Sequence, residues 1–151
     1  MIQDNLERHK LKPYDPVTGE GAVGIRERIF IEDAPYQYIW LPVQMLEEPL
    51  VKLFLKTKSI KQSLIDMGYK PSRDKYEDVW IMFCELRYKY DFEYWAITCA
   101  KIQDKLSGIR INFKLNGGQR IILESLEKQR INDQPIRSIN LKTRQIGGST
   151  F

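Results

Sequence analysis

Lys142, Arg144, Gly147, Gly148, Ser149 and Thr150 stand close together in Lys142-Thr-Arg-Gln-Ile-Gly-Gly-Ser-Thr150, a set of residue types suited to holding phosphate groups. Two consecutive glycines let successive backbone N–H groups point into one concavity, and a helix that begins there adds partial positive charge. A hydroxyl just past the turn can ligate the magnesium ion of a bound nucleotide. Lys142 and Arg144 supply cations to balance the phosphates. The residues from Pro135 to Leu141 read as a short strand leading into the turn. The layout is therefore strand, glycine turn, helix start.

The usual form of such a loop is G-x-x-x-x-G-K-S/T. This sequence departs from it. With Gly147 as the second motif glycine, Gly148 stands at the lysine position and Lys142 at the first glycine position. The cation has moved from the turn to the strand end, from where it reaches the β- and γ-phosphates across the loop. Ser149 is the magnesium ligand in this register, and a shift of one residue gives the role to Thr150. An ordinary turn followed by a helix cap uses the same residue types.

Upstream lies Phe113-Lys-Leu-Asn116-Gly-Gly-Gln119-Arg120-Ile-Ile-Leu123-Glu-Ser-Leu126. The succession of loop, Gln-Arg pair, apolar helix, strand and the Lys142–Thr150 turn resembles the large terminase subunit of tailed bacteriophages. The likeness is strongest over residues 113–151 and looser over residues 12–112. It implies that Gln119, at a helix start, reads adenine; a primary amide has the donor and the acceptor needed to match that base edge. It implies that Lys142, Gly147, Gly148, Ser149 and Thr150 hold the phosphates and Mg2+. Arg144 would help to stabilise the hydrolysis transition state, where charge placement contributes most. Gln145 receives no separate role.

The resemblance further implies ATP and Mg2+ as cofactors, double-stranded DNA as cargo, and the portal protein and small terminase subunit as partners. It adds an endonuclease activity, a possible ring oligomer in the full-length protein, and the cytoplasm of a bacterial host as location. A terminase ATPase also needs a later strand ending in Asp-Glu, with nuclease carboxylates beyond it. The 151 residues are thus expected to be the front of such a motor, incapable of hydrolysis alone. Two other readings stand beside this one: another P-loop motor such as a helicase, or a non-catalytic helical adaptor binding through residues 43–106.

Composition bounds these readings. The 42% hydrophobic and 29% charged content fit a globular chain long enough for a sizeable core. Net charge of +4 permits a phosphate-bearing partner without requiring one. Cys84, Cys99 and the single His9 do not have zinc-site spacing, and both thiols are expected to be reduced and buried on helices. No apolar run approaches a membrane span.

The elements that must position the loop follow from patterning. Residues 1–112 read as a mainly helical region with short strands, an α+β arrangement. Residues 113–151 read as the first helix and strand of an incomplete P-loop α/β ATPase domain. A short amphipathic helix is expected over 1–11 and a structured turn around Asp15 and Glu20. Extended pieces are expected over Val23–Ile31 and Tyr36–Leu41; Tyr38 and Trp40 are assigned to packing in preference to base stacking. Helices are expected from about Glu48, after a Ser59 cap, and after Ser72 or Asp74 as far as Tyr90. A further helix carries Phe92, Trp95, Ala96, Cys99 and Ile102, with Asp91 as break or cap. Arg87, Asp91 and Glu93 are read as surface or interhelix polar residues. Arg87, Lys89, Lys101 and Lys105 are read mostly as a solvated face. A strand over Ile109–Phe113 precedes the helix from Gln119 to about Arg130.

Overall fold

The computed structural model describes residues 12–104 and 106–137, which form a mixed α+β fold. Strands β1 (Arg26–Phe30) and β2 (Tyr38–Pro42) make an antiparallel ribbon in which Arg28 faces Trp40 and Phe30 faces Tyr38. A 3-10 turn, Val43–Glu47, leads into α1 (Pro49–Thr57) and α2 (Ile60–Asp66). The long α3 (Arg73–Tyr90) is followed at once by α4 (Phe92–Cys99). Strands β3 (Lys101–Gln103) and β4 (Arg110–Asn112) form a second ribbon, and α5 (Gly117–Ile131) completes the described chain.

Local chemistry sets these boundaries. Pro49 opens α1 at a position whose N–H would have no helical partner. The Ser59 hydroxyl caps α2 by accepting from the Gln62 N–H, and the Asp33 carboxylate accepts from the N–H groups of Ile60 and Lys61. Ser72 caps α3 through the Lys75 N–H, and Asp91 both ends α3 and caps α4 through the Tyr94 N–H. The turn around Asp15 is structural: its carboxylate accepts from the Thr18 hydroxyl and the Val17 N–H. The Thr18 bond holds that carboxyl below its usual range, against the opposing effect of partial burial.

The helix expected to reach Ile102 stops at Cys99. Residues Lys101–Gln103 pair with Arg110–Asn112 instead. The reason lies in the turn between them. The Asp104 carboxylate accepts from the Ser107 N–H and hydroxyl, Gly108 adopts a φ of 69°, and the Asp104 N–H donates to the Ile109 carbonyl. That closed turn draws the chain back on itself, and pairing overrides the helical phase of Ile102.

Two buried clusters organise the interior. Ile29, Ile31, Ile39 and Leu41 on one face of the first ribbon pack with Met45, Val51, Phe54, Ile60, Leu64, Val79 and Phe83. The second cluster joins Val23, Ala96, Phe113, Leu115 and Leu123. It seats α5 against α4 and the loop that precedes β1. Among the described residues, no helix is long and apolar enough to cross a membrane.

Candidate functional site

Of the residues singled out for chemistry, Gln119 lies within the described chain. Lys142, Arg144, Gly147, Gly148, Ser149 and Thr150 lie outside it. Gln119 stands in the first turn of α5, where it completes a reciprocal cap. The Asn116 side chain accepts from the Gln119 N–H at 3.0 Å, and Gln119 Oε1 accepts from the Asn116 N–H at 2.9 Å. The glutamine is 3% exposed. The local sequence dictates this arrangement: Asn-x-x-Gln is a capping box, and Gly117-Gly118 leaves the turn free of side chains.

Arg120, the next residue, is fully engaged. Its Nε donates to Glu93 Oε1 at 2.6 Å, Nη1 donates to the Lys12 carbonyl at 2.7 Å, and Nη2 donates to the Gly21 carbonyl. Glu93 uses its other oxygen to accept from the Val23 N–H at 2.9 Å. One arginine and one carboxylate thus clasp the 12–24 loop, α4 and α5 together. The loop can lie this close because Gly21 adopts a φ of 75° and a side chain there would run into the Pro13 carbonyl.

A second ion group adjoins the clasp. Arg26 Nη1 donates to Asp91 Oδ2 at 2.7 Å, and Arg87 approaches the same carboxylate at 4.0 Å. Arg87 also donates to the Val17 carbonyl and lies 3.7 Å from the Tyr94 ring centre. Asp91 is fully buried, and Glu93 and Arg87 are each 2% exposed. Of the two placements expected for these three, surface or interhelix, the surface one is corrected: they are interior contacts joining α3 and α4 to the loop. Arg87 accordingly leaves the set assigned to a solvated face, while Lys89 and Lys101 are exposed. Burial pushes the Tyr14 phenol well above its usual range, and the nearby Asp91 charge adds to the rise. Tyr94 is raised mainly by burial as well.

Helical phase held a signal for the clasp. Arg120 falls one turn before Leu123, and Glu93 one turn before Ala96, so each shares the inward face of its helix. Nothing in the linear sequence pairs the two. Cys99 departs from its expected burial and is exposed, whereas Cys84 is half-buried.

Beside the first turn of α5 opens a cleft of about 280 Å³. Its lining combines the apolar Ile97, Phe113 and Leu115 with Tyr14 and Gly117 and with the charged Lys12, Glu93, Lys114 and Arg120. Among the described residues there is no group of three or more His, Cys, Asp or Glu side chains placed to hold a metal ion. No protein-family model matches the chain, and no curated protein or solved structure shows significant similarity to it.

Proposed function

We propose that this chain carries the nucleotide-binding front of a DNA-packaging motor of the large terminase type. It would act with ATP and Mg2+ on double-stranded DNA, alongside a portal protein and a small subunit. The observation that carries the reading is the first turn of α5. A glutamine fixed by a capping box stands there, and its neighbours Gly117 and Arg120 line a cleft of about 280 Å³ that also has the apolar Ile97, Phe113 and Leu115 in its lining. In the sequence, the Lys142–Thr150 segment follows α5, which ends at Ile131.

The residues divide the work by chemistry. The cleft takes the adenine ring between Phe113 and Tyr14, and Gln119 reads its edge. Lys142 and Arg144 set positive charge against the phosphates, and the N–H groups around Gly147 and Gly148 bind their oxygens. Ser149, or Thr150 in the shifted register, holds Mg2+, which neutralises phosphate charge when bound.

Photolabelling with 8-azido-ATP tests the adenine end. Labelling is expected within residues 12–21 or 113–120, suppressed by excess ATP and much less by GTP. Labelling that ATP does not suppress, or that falls elsewhere, would remove the cleft from the proposal.

A further inference from the structure

The outward face of the β1–β2 ribbon is rich in aromatic rings. Alternation along β1 puts Arg26, Arg28 and Phe30 on the face opposite buried Ile29, and β2 adds Tyr38 and Trp40 to it. Arg26 is occupied by Asp91 at the inner end. The outer end is open: Tyr38 is 50% exposed and Tyr36, just ahead of β2, 46%. Phe30 and Tyr38 lie 5.3 Å apart, centre to centre. The Arg28 guanidinium sits 4.9 Å from the Tyr38 ring centre and 5.9 Å from that of Trp40. Among the described residues Arg28 has no carboxylate partner, and within β1 and β2 no acidic residue alternates onto this face; Glu32 lies beyond the end of β1.

We propose that this face is a stacking platform for single-stranded nucleic acid. Unstacked bases lie on Tyr38 and Trp40, and Arg28, between the two rings, meets the backbone phosphates. Two features select this occupant. The exposed rings of Tyr36 and Tyr38 can stack on any base, since every base has a π-face, and the Arg28 guanidinium plane is itself a stacking surface. Within the strands, the charge on this face that has no carboxylate partner among the described residues is the Arg28 guanidinium, and it is positive, as a polyanion requires. The assignment of Tyr38 and Trp40 to packing is thereby narrowed: both rings meet Arg28 across the ribbon, while Tyr38 remains half exposed. The platform is independent of the nucleotide site, since it uses neither α5 nor the Lys142–Thr150 loop.

The test is fluorescence anisotropy of a labelled short oligothymidylate strand with the 151-residue chain at low salt, together with Trp40-sensitive fluorescence. Binding is expected. Tyr38→Ala should weaken it roughly 5- to 150-fold, the loss that follows from removing one stacked base. Tyr38→Phe, which keeps the ring and the fold, should bind nearly as well as the parent. Arg28→Ala should weaken binding and flatten its salt dependence by about one phosphate contact. An abasic strand of equal length should bind far less tightly. The proposal is overturned by absence of binding, by equal binding of the abasic strand or of a duplex, or by an unchanged affinity in Tyr38→Ala. A proline-rich peptide that quenches the tryptophan signal where the strand does not would also overturn it, assigning the face to peptide recognition.

Discussion

Replacing Arg120 with alanine is expected to destabilise the fold by about 3–5 kcal/mol, the cost of stranding one partner of a buried ion pair. Three acceptors lose their donor at once: Glu93 Oε1 and the carbonyls of Lys12 and Gly21. Glu93, at 2% exposure, cannot turn to water for compensation. The damage should be concentrated where the clasp acts. The 12–24 loop should lose amide-exchange protection, while the cluster around Phe54 and Phe83 keeps its own. Urea unfolding gives the stability change, and a double-mutant cycle with Glu93→Gln gives the coupling. The double variant should be less destabilised than the sum of the single ones, because removing both charges removes the stranded one. A loss in Arg120→Ala below about 1 kcal/mol would mean that the clasp contributes no more than a surface pair.

Two substitutions at Gln119 should separate its structural role from its proposed reading of adenine. Alanine removes the acceptor for the Asn116 N–H and should cost about 0.5–1.5 kcal/mol of stability, the net contribution of one hydrogen bond. Glutamate keeps an acceptor at the same place, and a carboxylate in the first turn is favoured by the helix dipole. Its thermal stability should fall below that of the parent chain by the cost of burying the charge at a residue 3% exposed, offset in part by the cap and the dipole. It lacks the amide N–H donor, so ATP affinity should fall about tenfold or more, the scale of one hydrogen bond in a desolvated site. Thermal unfolding and nucleotide titration of both variants provide the check. If the glutamate variant binds ATP as tightly as the parent, Gln119 is a helix cap alone.

The parts of the fold legible in the sequence are those fixed by neighbours in the chain. Pro49, Ser59, Ser72, Asp91 and Asn116 each act within a few residues of themselves, so cap chemistry revealed their helix ends. The hydrophobic alternation of β1 and β2 was equally local. The clasp was not legible, because Glu93 meets Arg120 and Arg26 meets Asp91 across long stretches of chain. Their helical phase marked them as inward-facing but could not name their partners. The β3 strand was missed for a related reason: Ile102 continues the phase of Cys99, and only pairing with Ile111 decides between helix and strand. At the candidate site, the sequence put the helix start at Gln119, two residues after the Gly117 at which α5 begins. The cleft beside it is built from the 12–14 segment, α4 and Phe113, and arises from tertiary packing alone.

The most direct test of the nucleotide reading is calorimetric titration of the 151-residue chain and its Lys142→Ala variant with ATP and GTP, each with Mg2+. The account predicts saturable binding of ATP in preference to GTP, with affinity reduced about tenfold or more by Lys142→Ala, the loss of one charge-assisted phosphate contact. The circular dichroism of the variant should be unchanged. Absence of saturation at millimolar ATP, or equal affinity in the lysine variant, would contradict it.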